Sequence, residues 1–271
     1  MAENDKAFAG SIPELYDRYL VPLLFQDCAE DIAGRIAKSN PAHVLEIAAG
    51  TGVVTRALAP RLATTARLVV TDLNQPMLDR AKVRQSADPR CEWQQADALA
   101  LPFPDQTFDA VLCQFGVMFF PDKPAGYREA QRVLKPGGRF AFNVWDRLEA
   151  NGFPAVINDA LAELFPADPP RFLPRTPYGY NDADRIRAEM KDAGFVDVSV
   201  TVVDTSSKAP SARDPAIGFC QGTPLRGEVD ARDPSGLEKA TAHAAAAIAR
   251  KFGNGPVAAP IRALVFEGRR A

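Results

Sequence analysis

Apolar positions along the chain switch between two periods. Short β-branched and aromatic runs at 43–47 (HVLEI), 67–71 (RLVVT), 91–95 (CEWQQ), 108–114 (FDAVLCQ) and 138–144 (GRFAFNV) read as strands. Between them, 51–62, 75–86 and 123–134 fit helices of about three turns. Strands alternating with helices predict right-handed crossovers and a mostly parallel sheet. Upstream, Leu15, Tyr19, Leu23, Leu24, Cys28, Ile32 and Ile36 form an amphipathic stripe, predicting a helical segment over 11–39 that packs on the core. The alternation stops after Val144. Pro154, Pro166, Pro169, Pro170, Pro174 and Pro177 cannot all sit inside helices or central strands. Phe153, Phe165, Phe172, Tyr178 and Tyr180 nevertheless make the stretch too aromatic for a linker, which predicts an ordered cap. A helix over 181–193 stopped by Gly194, a strand over 195–203, a helix over 234–252 and a last strand over 261–268 complete the pattern.

Composition removes several classes. Lys and Arg number 32 against 34 Asp and Glu, a net charge of -2 over 271 residues, so no electrostatic footprint for nucleic acid exists. The opening MAENDKAFAG lacks the basic-then-apolar layout of a signal peptide. No run reaches the ~18 apolar residues of a membrane helix, so a cytoplasmic protein without membrane partners is expected. Cys28, Cys91, Cys113 and Cys220 match neither a zinc spacing nor a disulfide framework, and no metal is expected.

The first strand runs into Ala48-Ala49-Gly50-Thr51-Gly52, small residues that let backbone approach a ligand just before a helix. Gly50 is the first of these without a Cβ. The second strand runs into Asp72, twenty residues past Gly52, where a carboxylate can accept from vicinal ribose hydroxyls. Asp72 could equally cap the helix carrying Met77 and Leu78. Neither register of the loop matches the dinucleotide pattern G-x-G-x-x-G/A, and no Gly-Lys-Ser/Thr follows, which excludes a P-loop.

At this point the chain resembles the class I S-adenosylmethionine-dependent methyltransferases, especially the small-molecule branch containing ubiquinone and menaquinone biosynthesis enzymes. The resemblance covers 42–144 and rests on ordered motifs: LEIAAGTG (45–52), TDLNQPML (71–78), Gln95-Ala96-Asp97-Ala98 with Leu101-Pro102-Phe103, FDAVLCQFGVMFF (108–120) and VLKPGGRF (133–140). Ala48 and Ala49 depart from the Gly-Cys or Gly-Ser of many members. The resemblance implies a Rossmann-like, doubly wound α/β fold, its seven-stranded sheet mostly parallel with an antiparallel last strand. It implies one domain over 1–271, with a cofactor-binding core at 40–145, a cap over the acceptor site at 146–180 and C-terminal helices and strands at 181–271. The segment from about Thr205 to Asn254 would help shape the acceptor pocket.

For S-adenosylmethionine, the resemblance implies that Glu46 helps hold the ammonium and that backbone of Ala48, Ala49, Gly50 and Thr51 meets the methionyl part. Asp72 would take the ribose, Leu73 and Met77 would pack near the adenine, and Asp97 with the Ala98 amide would read its edge. Gln114 and Phe115 would flank the methyl group, and Tyr16, Asp17 and Tyr19 would close over the cofactor or simply pack on the core. Pro136-Gly137-Gly138 reads as a tight turn ending a helix. His43 reads as structural and His243 as solvated or capping, while Arg171 and Arg175 are exposed cations or contacts for an anionic acceptor. No catalytic residue is identified, because aligned displacement needs a base only if the attacking atom holds its proton. The expected activity is methyl transfer to an O, N or C atom of a small-molecule acceptor, releasing S-adenosylhomocysteine, by a monomer or homodimer. A nicotinamide-dependent oxidoreductase and a non-catalytic S-adenosylmethionine-binding regulator are the alternatives.

Overall fold

The computed structural model describes Asp5 and residues 10–271, so the signal-peptide reading of the first ten residues falls largely outside the described residues. The strands are β1 (His43–Glu46), β2 (Arg67–Asp72), β3 (Cys91–Gln95), β4 (Phe108–Gln114), β5 (Leu134–Trp145), β6 (Phe195–Ala209) and β7 (Val257–Arg270). The helices are α1 (Ile12–Leu15), α2 (Gln26–Ala37), α3 (Val53–Leu58), α4 (Gln75–Arg84), α5 (Lys123–Val133), α6 (Gly152–Leu164), α7 (Phe172–Arg175), α8 (Ala183–Asp192), α9 (Arg213–Gln221), α10 (Leu225–Arg232) and α11 (Leu237–Phe252). One sheet holds all seven strands in the order β3-β2-β1-β4-β5-β7-β6. The pairs β1–β2, β1–β4, β2–β3 and β4–β5 are parallel and the last strands antiparallel, the doubly wound arrangement expected. Strand order reverses between β1 and β4, and ligands of such sheets bind beyond the carboxyl ends of the strands at that point.

The chain forms two compact units. One comprises Gln26–Val144, Asn181–Val203 and Ala263–Ala271. Its central strands are buried on both faces and read as continuous apolar runs, with Val44, Leu45, Leu68, Val70 and Val111 removed from solvent. Phe142 stacks on Phe266 at 5.2 Å and Phe140 on Phe195 at 5.4 Å, extending that core. The other unit comprises the described residues up to Phe25, with Trp145–Tyr180 and Asp204–Arg262. There Tyr16, Phe25, Trp145 and Tyr178 form an aromatic row with centroid spacings of 5.0, 6.0 and 6.1 Å. Arg175 Nη2 pairs with Asp5 Oδ1 at 2.5 Å and with Glu228 Oε1 at 2.7 Å, while Thr176 Oγ1 donates to Asp5 Oδ2 at 2.6 Å. Glu228 Oε2 also accepts the N–H groups of Arg171 and Phe172, closing the start of α7.

Several local expectations change. Residues Tyr16–Phe25 form a π-helix rather than part of one α-helix, and Pro22, which has no N–H, lies inside it. The helix after the glycine loop stops at Leu58 and tightens to a 3₁₀ turn over Ala59–Arg61, which contains Pro60. Pro154 of the cap does sit in a helix, in the first turn of α6, where its missing N–H has no intrahelical acceptor to lose. Pro136-Gly137-Gly138 is a bulge within β5, not a separate turn: Phe108 pairs with Leu134 but Ala110 already pairs with Arg139. A Cβ on Gly138 would stand 2.8 Å from the Lys135 carbonyl oxygen, so the bulge needs glycine there. β6 and β7 extend beyond the runs predicted for them, to Ala209 and back to Val257.

Candidate functional site

The sequence places small residues after β1, and the backbone makes use of them. Ala48, Gly50 and Gly52 all take left-handed φ angles, 54°, 57° and 76°. This winding turns the chain from β1 into α3. It is tethered on both sides, since Ile47 N–H donates to the Leu112 carbonyl (2.8 Å) and Ala49 N–H to the Thr71 carbonyl (2.9 Å). A Cβ on Gly50 would meet only Met77 Cε, at 3.7 Å, so the loop leaves open space above Met77. Gly116, by contrast, has no such space: a Cβ there would lie 2.5 Å from Ala48 Cβ and 2.6 Å from Cys113 Sγ. The turn after β4 is thus pressed onto the turn after β1.

Two carboxylates sit at the strand tips. Glu46 ends β1, is 1% exposed, and its Oε2 accepts from Thr55 Oγ1 on α3 at 2.6 Å. Burial pushes its pKa from 4.5 up to about 7, against the pull of the Thr55 hydroxyl and the Arg56 guanidinium. Asp72 ends β2, and its Oδ2 accepts the Gly50 N–H and its Oδ1 the Asn74 N–H, both at 2.8 Å. Burial raises its pKa as well, opposed by those backbone donors. The sequence left Asp72 between ribose ligand and helix cap. Its carboxylate binds the glycine loop and the Asn74 amide just before α4, so it braces loop and helix start together.

The other expected residues follow. Leu73 is exposed and Met77 buried. Asp97 Oδ1 accepts the Leu99 N–H at 2.9 Å, Ala98 is buried, and both follow β3. Gln114 closes β4 and Phe115 follows it with a left-handed φ of 51°. These residues, with Ala48, Ala49 and Thr51, belong to the unit holding the tips of the first four strands; Tyr16 belongs to the other, where it stacks on Phe25. His43 opens β1 with its N–H donating to Asp109, and His243 Nε2 lies 3.4 Å from Glu163 Oε2. Among the described residues no group of side chains could hold a metal ion, and all four cysteines are free.

Sequence reasoning missed Thr55, Gly116 and Asn143. Asn143 is fully buried on β5 and its Oδ1 accepts the Phe115 N–H at 2.9 Å. Its signal was legible: a lone amide inside the apolar run Phe140-Ala141-Phe142-Asn143-Val144-Trp145.

These features fit a ligand with hydroxyls and a cationic group. Thr51 Oγ1 is buried in the loop without a hydrogen-bond partner, which few buried hydroxyls tolerate. Two buried acids gain from hydroxyl donors or an ammonium, and the loop offers the space a Cβ at Gly50 would fill.

Residues 45–142 match the methyltransferase domain family. The ubiquinone/menaquinone biosynthesis C-methyltransferase of Escherichia coli is 34% identical over 178 residues, covering 57% of this chain and 66% of that protein. The chain thus spans just under two thirds of the curated relatives' length. Among solved structures, the YcgJ protein of Bacillus subtilis aligns with a TM-score of 0.55 at 20% identity, over 88% of this chain and 97% of that one. A Haemonchus contortus phosphoethanolamine N-methyltransferase, solved with phosphomonomethylethanolamine and S-adenosylhomocysteine, gives 0.55 at 16%, over 97% and 60%. The [4+2]-cyclase SpnF gives 0.55 at 19%, over 91% and 82%. At these identities the structural likenesses speak for the fold alone. Residues 45–142 are thus similar to the methyltransferase domain, and over 178 residues the chain is similar to a C-methyltransferase.

Proposed function

We propose that this protein transfers the methyl group of S-adenosylmethionine to an O, N or C atom of a small organic acceptor. The observation carrying this reading is the pair of buried strand-tip carboxylates, Glu46 and Asp72, beside the left-handed loop at Gly50. A fold shared with a cyclase does not specify methyl transfer by itself, so the residues must. When bound, the cofactor supplies an electrophilic methyl on a sulfonium. Glu46 holds the ammonium, Asp72 the ribose, and backbone of Ala48, Ala49, Gly50 and Thr51 lies along the methionyl part. Leu73 and Met77 flank the adenine, Asp97 and the Ala98 amide read its edge, and Gln114 and Phe115 face the methyl end. The curated relative's name specifies C-methylation in quinone biosynthesis, which supports a small-molecule acceptor over a macromolecule. The net charge of -2 argues in the same direction against nucleic acid. A cytoplasmic monomer or homodimer completes the reading.

The test is calorimetric titration with S-adenosylmethionine, S-adenosylhomocysteine and NAD(P)H, followed by transfer of labelled methyl to a panel of small acceptors. Binding of both sulfur ligands and label transfer to at least one acceptor is expected. NAD(P)H binding with no response to the sulfur ligands would overturn it. Tight cofactor binding with no transfer across a broad panel would favour a regulatory protein instead.

A further inference from the structure

We infer that Asn143 is a positioning residue that holds the tip of β4, and through it the methyl end of the cofactor site. The inference rests on the proposed function above and adds a residue to it. Asn143 lies in the buried half of β5, among Phe140, Ala141, Phe142, Val144 and Trp145, where an apolar side chain would serve the sheet equally well. A buried amide costs stability unless its hydrogen bonds are made. Its bonds go to one place. Oδ1 accepts the Phe115 N–H at 2.9 Å, the Asn143 carbonyl accepts the same N–H at 3.2 Å, and Nδ2 makes a long contact of 3.5 Å to Gln114 Oε1.

The tip it holds is strained. Phe115 has a φ of 51°, which a residue with a Cβ adopts only when its surroundings over-determine it. The next residue is fixed as well: Gly116 is pressed on both Ala48 and Cys113, leaving no room there for a Cβ. A buried polar group and a strained residue meeting at one strand tip, against the loop that carries Gly50, mark positioning rather than stability as the gain. Without the amide, the Phe115 N–H loses its side-chain acceptor and Gln114 its neighbour. The turn can then relax, while Asp72 and the tip of β3 stay as they are.

The test compares S-adenosylmethionine with adenosine, which lacks the methyl and the amino-acid tail, on wild type and Asn143→Leu, an apolar replacement of similar size. Wild type should bind both. In Asn143→Leu, S-adenosylmethionine affinity should fall at least tenfold while adenosine affinity stays within about twofold. Asn143→Asp, which retains an acceptor for Phe115, should restore most of the loss. An equal fall for both ligands would reduce Asn143 to a structural residue, and no fall for either would also overturn the inference. If the leucine variant does not fold, Asn143→Ala carries the same comparison. Wild type binding neither ligand would instead sink the functional reading itself, leaving the two failures distinguishable.

Discussion

The Gly50 N–H donates to Asp72 Oδ2 at 2.8 Å, so the acid after β2 holds the loop after β1. The carboxylate proposed to take the ribose is therefore also the one that braces the loop. Asp72→Ala should weaken S-adenosylhomocysteine binding by about 1.5–3 kcal/mol, the usual worth of a hydrogen bond to a charged group. Asp72→Asn retains an acceptor for Gly50 and should lose less. Titration calorimetry checks both, and equal affinity in wild type and Asp72→Ala would remove the ribose role.

Gly50 separates space from strain. A Cβ there has room, with Met77 Cε at 3.7 Å, but a φ of 57° is unfavourable for any L side chain by about 1–2 kcal/mol. Gly50→Val should fold, with a modest fall in melting temperature and a normal far-UV spectrum, yet lose cofactor binding because the side chain enters the ligand's space. Retained binding would show that the loop lies away from the ligand.

Ala48 and Gly116 are coupled through contact. Ala48 has a φ of 54°, so Ala48→Gly should relieve about 1 kcal/mol of strain. Gly116→Ala should destabilise by about 2–3 kcal/mol or more, because its Cβ would overlap Ala48 Cβ and Cys113 Sγ. In the double variant one of the two obstacles is gone, and denaturant unfolding should show less destabilisation than the two single changes added together. Strict additivity would mean that the two turns do not press on each other.

The other unit offers an independent stability test. The Asp5 carboxylate is buried against Arg175 and Thr176. Arg175→Met removes the guanidinium that pairs with both Asp5 and Glu228 and should cost about 3–5 kcal/mol, as removal of one partner of a buried pair does. Asp5→Asn combined with Arg175→Met should recover part of the loss. A melting temperature unchanged by Arg175→Met would show that the pair contributes nothing to the fold.

What the sequence revealed and what it hid divide along one line. The loop at 48–52 and Asp72 were legible because their chemistry is local: small residues after an apolar strand, and an acid at the next strand's end. Ala48 departs from the Gly-Cys or Gly-Ser that the resemblance implies, and its left-handed φ of 54° is a conformation glycine adopts without a Cβ penalty. Asn143 was visible as a lone amide in an apolar run, but its partner Phe115, like Glu46 for Thr55, comes from another element, and no periodicity records such pairings. The π-helical turn at Tyr16–Phe25 was hidden because an apolar stripe looks much the same at either pitch. The β5 bulge was hidden because proline and paired glycines suit a turn as well as a register shift.

Glu46 gives a pH dependence whose sign is fixed. Its folded-state pKa, raised to about 7 by burial, exceeds the ordinary 4.5, so between these values the native protein binds more protons than the unfolded chain. Stability should therefore fall as pH rises from about 4.5 to about 7 and level off above, by up to about 3 kcal/mol from this group. Glu46→Gln keeps an acceptor for Thr55 without the charge and should flatten that part of the profile. Cofactor binding runs the other way, since an ammonium beside Glu46 favours the carboxylate. Between about pH 5.5 and 7, S-adenosylmethionine affinity should rise by up to tenfold per pH unit with release of a proton; above about 8 the ligand's own amine, of α-amino type, loses its charge. Calorimetry in buffers of different ionisation enthalpy reads the proton directly. Wild type and Glu46→Gln should differ in proton release below pH 7, and identical release would show that Glu46 does not meet the ammonium.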